Sequence, residues 1–226
     1  MIPLKTDRLL LREWRESDKP AFARMNADLR VMEFFPAPLT RAESDQLFAR
    51  IQSHLRQHGF GLYAAELLGT GSFLGFIGLA TPSFQSTFTP CVEIGWRLTA
   101  DSWGQGLATE GAREVARYAF DDLGLGELVS FTVAANARSR RVMEKLGMTH
   151  DAADDFEHPR LPEGHPLRRH VLYRLRRPDP RLLFQWILLN SMFACFTTGT
   201  SGSAPAQTLR SFSYHAFAAG LSLAST

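Results

Sequence analysis

The segment Trp103-Gly104-Gln105-Gly106-Leu107-Ala108-Thr109-Glu110 is where the sequence first offers chemistry. Two glycines two positions apart let a backbone turn tightly and come close to a ligand. The pattern that follows is helical, so a helix opens on this turn with its first N–H groups unpaired and its positive dipole end exposed. Together these features make an anion cradle that suits a pyrophosphate. The spacing is neither G-x-G-x-x-G nor G-x-x-x-x-G-K-[ST]. No lysine follows to reach a terminal phosphate, which disfavours a nucleotide hydrolase. Alone, the segment reads equally as a glycine-rich turn with no ligand.

The elements that must hold this turn are readable from pattern. In Val92, Ile94, Trp96 and Leu98 apolar residues alternate with Glu93, Gly95 and Arg97, which predicts a strand with one buried face and one face for function or solvent. Ala108 to Asp122 predicts an amphipathic helix, with Ala108, Ala112, Val115, Ala116 and Ala119 inward and Glu110, Arg113, Glu114 and Arg117 wet. Glu127–Val133 reads as a strand and Asn136–Leu146 as a helix closed by Gly147. Upstream, Leu9-Leu10-Leu11-Arg12 is a short strand. Ser17-Asp18 before Pro20 starts a helix through Phe22 and Met25, and Thr40-Arg41-Ala42-Glu43 is a capping box ahead of Leu47, Phe48, Ile51 and Leu55. Strands follow at Leu62–Glu66 and Phe73–Leu79, then a short one near Met148 and a last one at His170–Leu175. The order β-α-α-β-β-β-α-β-α-β-β implies an α/β fold whose mixed sheet has helices on both faces.

Composition bounds the alternatives. The chain has 226 residues, 45% hydrophobic and 21% charged, with a formal net charge of +2. That is globular composition without the basic excess of a nucleic-acid binder, so no nucleic-acid partner is expected. Cys91 and Cys195 cannot build a disulfide framework or a cysteine zinc site. The N-terminus lacks a secretory apolar region, and a cytoplasmic, reducing setting is expected. Charge stops abruptly: from Pro178 to Thr226 only Asp179, Arg181 and Arg210 are charged. Residues 1–177 therefore read as the domain and 178–226 as an apolar, then Ser/Thr/Gly/Ala-rich, tail. Its apolar run, Leu182–Phe196, is shorter than the roughly 20 residues of a spanning helix. Membrane contact through 182–196 is the weaker reading. A helix packed on the domain or on a partner is favoured, and a segment never fitted to this fold is the third reading.

With the cradle, the block Asn136-Ala137-Arg138-Ser139-Arg140-Arg141-Val142-Met143-Glu144-Lys145-Leu146-Gly147-Met148 resembles the GNAT superfamily of N-acetyltransferases. The family's cofactor motif is Arg/Gln-x-x-Gly-x-Gly/Ala. Gln105-Gly106-Leu107-Ala108 supply its end, and Trp103 stands where Arg or Gln is usual. Trp103 with the glycines, Ala108-Thr109-Glu110 and the opening Thr6-Asp7-Arg8-Leu9-Leu10-Leu11-Arg12 look like the branch that acetylates ribosomal-protein N-termini. The resemblance covers about residues 4–176. It implies a mostly antiparallel central sheet with splayed central strands.

It further implies acetyl-CoA as the acetyl donor, with the cofactor-binding residues Leu98, Trp103, Gly104, Gln105, Gly106, Leu107, Ala108, Thr109, Asn136, Arg138 and Arg141. The pyrophosphate would lie on the N–H groups of the cradle. The pantetheine arm would pair like an extra strand with the end of Val92–Leu98 in the splay. Asn136 would hold the arm, and Arg138, Arg140 and Arg141 lie where a phosphate finds a cation, unless they form a solvated helix face. Direct transfer to an amine needs a base, an oxyanion donor and a proton for the thiolate. Glu93, on the wet face of its strand, is the base candidate. Many relatives use a tyrosine as general acid seven residues after this asparagine. Here that position is Met143, so Ser139 is the candidate proton donor. The acceptor would be a primary amine, on a protein N-terminus or a small molecule, and a homodimer is left open. A non-catalytic module that binds a CoA ester is the alternative.

Weaker signals surround this reading. His150, His158, His165 and His170 crowd Asp151, Asp154, Asp155 and Glu157, but no pair has metal-ligand spacing, and no metal is expected. Phe34-Phe35-Pro36, Trp14 and the proline-punctuated segment Glu157–Pro166 are candidates to line the acceptor cleft, although such aromatics are more often core. Nothing marks Cys91 as an activated nucleophile.

Overall fold

Thr40 opens the longest helix, α2 (Arg41–His58), in the way its pattern requires. Its side chain accepts the Glu43 N–H, and the Glu43 carboxylate returns to the Thr40 backbone. Gly59, at φ 72°, ends the helix in a left-handed conformation that suits glycine. The computed structural model describes residues 3–177. The tail 178–226, with Leu182–Phe196, lies outside the described residues.

Before α2 come β1 (Leu4–Lys5), β2 (Leu9–Arg12), a 3-10 turn at Glu16–Asp18 and α1 (Lys19–Ala27), with Pro20 in its first turn. After it come β3 (Leu62–Leu67), β4 (Ser72–Ala80), β5 (Glu93–Leu98), α3 (Leu107–Asp121), β6 (Glu127–Val133), α4 (Ala137–Lys145), β7 (Thr149–His150), β8 (Phe156–Glu157) and β9 (Arg169–Arg176). The sheet order is β1-β2-β3-β4-β5-β6-β9-β7, with β8 on β9. Antiparallel ladders join β1 through β5, while β5 and β6 run parallel. The fold is the mixed, mostly antiparallel sheet expected. Two strands, β1 and β8, were not foreseen; each is two residues long, too short for an alternating pattern to register. Several bounds also shift by a residue: β5 starts at Glu93, α3 moves to Leu107–Asp121, α4 shortens to Ala137–Lys145 with Asn136 as its cap, β3 ends at Leu67, and β4 and β9 each gain a residue at both ends.

Alternation along β4 divides the core. On one face Trp14 packs on Phe22, Phe48 and Phe73 with ring centroids 4.8, 5.4 and 5.6 Å apart, and Phe76 lies beside Phe22. That layer is roofed by α1 and α2. On the other face Ile77 and Leu9 support α3 so closely that a methyl group at Gly111 would sit 2.5 Å from the Ile77 Cδ1. Glycine is therefore what lets α3 lie down on the sheet. Trp14 is core, not a lining residue of a cleft.

Candidate active site

The parallel pair at the centre of the sheet barely pairs. Its register holds one residue pair, Glu93 with Val129, although β5 has six residues and β6 seven. The Val129 N–H donates to the Val92 carbonyl at 2.9 Å. Beyond that vertex the strands run on without further register partners. A wedge of this kind leaves strand edges to be met by an extended ligand.

The glycine turn lies past the end of β5. Gly104 and Gly106 adopt φ of 75° and 79°, a region that favours glycine. Gly106 caps α3 without a side-chain bond, and the Glu110 N–H is the first to find a partner, the Gly106 carbonyl. Among the described residues, the N–H groups of Gln105, Gly106, Leu107, Ala108 and Thr109 donate to no protein acceptor. Five free donors at a helix N-terminus are a fit for a diphosphate. Leu107 and Thr109 turn their side chains inward, while Gly104, Gln105 and Gly106 are exposed. The Trp103 indole donates to the Leu98 carbonyl at 3.0 Å, which ties the turn to the end of β5.

A clamp missed in the sequence fixes this turn. Glu110, expected on the wet face of its helix, accepts from the Thr6 hydroxyl (2.6 Å), the Arg8 N–H (2.9 Å) and the Arg8 Nε (2.7 Å). Arg8 also donates to the Gln105 carbonyl at 3.0 Å. Burial alone would raise the Glu110 carboxyl, but the Thr6 and Arg8 hydrogen bonds outweigh it and hold it below its usual range. Thr6 and Arg8 thus join the N-terminal segment to the cradle. The shared Thr-Asp-Arg and Thr-Glu motifs were the only signal of it.

At the start of α4, Asn136 caps the helix. Its carbonyl oxygen accepts the Ser139 N–H at 3.2 Å, and its amide donates to the Thr132 and Ser139 hydroxyls at 3.0 and 3.2 Å. Ser139 therefore accepts from Asn136 and keeps its hydroxyl proton for another acceptor. Met143 is 1% exposed and its side chain packs in the core. The arginines divide. Arg138 pairs with Glu33 and stacks on Trp103 at 4.5 Å. Arg140 donates to the Tyr173 hydroxyl and the Ala134 carbonyl. Arg141 is exposed and has no partner among the described residues. Trp103, Arg138, Glu33, Leu29 and Arg30 border an open pocket of about 440 Å³ beside the cradle.

The wet face of β5 carries Glu93, Gly95 and Arg97 in line. A methyl group at Gly95 would meet only the Glu93 Oε1, at 3.7 Å, so the two share a face and there is room above Gly95 for a small group. Burial pushes the Glu93 carboxyl up to about 8. Arg97, not singled out in the sequence, donates from Nη1 to the Asn26 Oδ1 at 2.8 Å and lies against Phe35 and Phe76. Its presence on the alternating face was the available signal. Phe35 is exposed, while Phe34 is the more covered neighbour and meets Arg138.

Beyond Glu93 lies a second small core of Val129, Phe156 and Leu172, with Phe84, Phe88, Cys91 and Phe131 packed on it. His158 and His170 face each other there at 5.0 Å, and burial lowers both. His150 instead bonds Asp155. Burial pushes the Cys91 thiol up to about 11, with the Glu93 charge adding to it, so it stays protonated. Among the described residues, no helix is long and apolar enough to cross a membrane.

The family profile described as "Acetyltransferase (GNAT) domain" matches residues 8–149. A relative named "FsC-acetyl coenzyme A-N(2)-transacetylase", from Aspergillus fumigatus, is 33% identical over 167 residues, covering 69% of this chain and 70% of its own. The crystal structure of an acetyltransferase from Agrobacterium tumefaciens is similar with TM-score 0.64 and 29% identity, over 78% of this chain and 95% of that one. RimL, a ribosomal alpha-N-protein acetyltransferase in complex with coenzyme A, matches with TM-score 0.62 at 15% identity, over 77% of this chain and 98% of that one. At that identity the likeness is one of fold.

Proposed function

The chain belongs to the GNAT acetyltransferase family and is an N-acetyltransferase, and from this we propose that it moves acetyl from acetyl-CoA directly to a primary amine, on a protein N-terminus or a small molecule. The observation that carries the reading is the row of five unpartnered N–H groups from Gln105 to Thr109 at the mouth of the β5–β6 wedge. Acetyl-CoA would supply an activated acyl carbon. The cradle would hold its diphosphate, with Arg141 a free cation nearby on α4. Leu98, at the end of β5, and Asn136 would border its arm.

Glu93 takes the proton of the incoming ammonium. A carboxyl near 8 is well matched to that task at neutral pH, because the best base titrates near the working pH. Ser139, held by Asn136 with its own proton uncommitted, supplies a proton to the departing sulfur. Cys91 takes no acyl group, since a thiol titrating near 11 is a poor nucleophile at neutral pH. Met143, buried where relatives place a tyrosine, favours the alternative of binding without turnover. Release of free thiol from acetyl-CoA with a broad amine panel separates the two.

Gly106→Trp tests the cradle itself. An indole there fills the diphosphate space and forces a bulky residue to positive φ. Acetyl-CoA, which should raise the melting temperature of the wild type, is expected to leave this variant unmoved. An unchanged thermal shift would remove the cradle from cofactor binding. The domain is placed at residues 1–177, and a chain ending after Arg177 is expected to keep the full acetyl-CoA shift.

A further inference from the structure

On the face of β5 that carries Gly95, an acid and a base lie half-buried without meeting each other or any charged partner. Among the described residues, the Glu93 side chain has no hydrogen bond or ion pair, and the Arg97 side chain has one hydrogen bond, to a neutral amide. The support for that amide is elaborate. Asn26 and Ser44 are both fully buried, and the Asn26 Nδ2 donates to the Ser44 hydroxyl at 2.9 Å, which leaves its Oδ1 aimed at Arg97. The guanidinium lies 4.1 Å from the Phe35 ring and 5.4 Å from the Phe76 ring. Its Nε is buried and finds no acceptor. A buried charge is retained at a cost unless something pairs with it. Nothing described in the chain pairs with this one.

Gly95 stands between the two charges with no side chain. Glu93 and Arg97 are four strand steps apart, roughly 13 Å between Cα atoms, so they do not neutralise one another as a close pair. A molecule carrying both an ammonium and a carboxylate can satisfy both.

We propose that the acceptor is an amino-acid-type zwitterion: its amine is bound at Glu93, its carboxylate at Arg97, and its carbon skeleton lies over Gly95. This rests on the acetyl-transfer reading above and narrows its acceptor class. The ammonium proton passes to Glu93. The freed nitrogen forms the C–N bond at the acetyl carbon as the C–S bond breaks. The second nitrogen proton leaves in exchange for the one the sulfur gains, and the products are an N-acetyl amino acid and free thiol. Arg97 acts as a specificity residue through the carboxylate, held in place by Asn26 and Phe35.

The test is a paired panel on the full chain, read by thiol release. It contains α-amino acids, ω-amino acids such as β-alanine and 4-aminobutyrate, the carboxamide of each, and short neutral peptides. The acids should exceed their amides in kcat/KM by about a hundredfold, mostly through KM, as expected for one charge-assisted, desolvated contact. In Arg97→Gln the acid-to-amide ratio should fall to near one. Asn26→Asp, which hands Arg97 an internal carboxylate, should lower the same ratio at least tenfold without touching Arg97. Whether α- or ω-acids win reports the spacing. Amides matching acids in the wild type would overturn the proposal, as would an Arg97→Gln loss equal for both classes, which marks a purely structural arginine. Turnover of peptides but not of amino acids overturns it while leaving the acetyltransferase reading intact. Absence of any acetyl-CoA thermal shift defeats that reading first.

Discussion

Two arginines near the same face of the sheet are treated in opposite ways. Arg12, on β2, is 6% exposed and grips Asp18 through two hydrogen bonds of 2.8 and 2.9 Å, with a third to Glu66 at 2.7 Å. The hydrogen bond to Asp18 is the largest influence on it; with that to Glu66 it overrides burial, and the guanidinium is held more basic than usual. Arg97, on β5, has rings and one neutral amide around it, and burial lowers it to about 10. The first arginine is closed within the protein and ties β2 to the turn before α1. The second is left electrostatically incomplete. A cation whose partners all belong to the chain is structure, and one whose partner is missing marks where another molecule belongs.

The contrast breaks most forcefully at Arg12. Arg12→Leu leaves the buried Asp18 carboxylate without its cation and Glu66 with only the more exposed Arg15, 3.2 Å away, and losing one member of such a set costs about 3–5 kcal/mol. Melting should fall by about 10 °C or more for a domain of this size, with acetyl-CoA binding intact in whatever remains folded. A loss under 1 kcal/mol in a denaturant titration would show that Arg12 is no more closed than Arg97.

Glu93 sharpens the contrast from the acid side. Glu93→Gln should slow turnover by about 10²-fold or more, the usual worth of a general base, and leave acetyl-CoA affinity nearly unchanged. Its folded carboxyl sits near 8, above the ordinary 4.5. Across that window the folded protein keeps a proton that the unfolded chain has lost, so stability falls as pH rises. Turnover moves the other way and rises toward pH 8 as the base ionises. The variant should flatten both slopes. Denaturation curves at pH 5, 6.5 and 8.5 check the first; a wild type equally stable at all three would mean the carboxylate is solvated.

What the sequence disclosed follows distance along the chain. The Thr40–Glu43 box, the Gly59 stop and the alternation of Val92–Leu98 are local, and local patterns mapped onto α2 and β5 within a residue. The clamp of Arg8 on Glu110 spans 102 positions, and the Asn26–Arg97 bond spans 71. No period or cap encodes such contacts. For that reason Glu110 reads as a solvated helix residue and Arg97 as a solvated strand residue until the sheet brings their partners in. Resemblance reached the cradle, Asn136 and Ser139 because those lie within two short blocks. It was silent on Arg97, whose meaning depends on a helix far upstream.

The smallest expected effect is the most discriminating. Arg97→Gln removes a cation that burial penalises, together with its contacts to Phe35 and Phe76, worth about 0.5–2 kcal/mol. Glutamine still offers an N–H toward the Asn26 Oδ1, so that buried oxygen need not be orphaned. The lost ring contact and the relieved charge oppose each other, and the net change should stay within about 1 kcal/mol, or about 3 °C. A fall as large as that of Arg12→Leu would mean that Arg97 is a clamp between β5 and the α1–α2 connection, and the two arginines would then be alike. A small shift joined to a collapsed acid-to-amide ratio separates them, because a group that contributes little to folding and much to acceptor choice is one the fold keeps for its substrate.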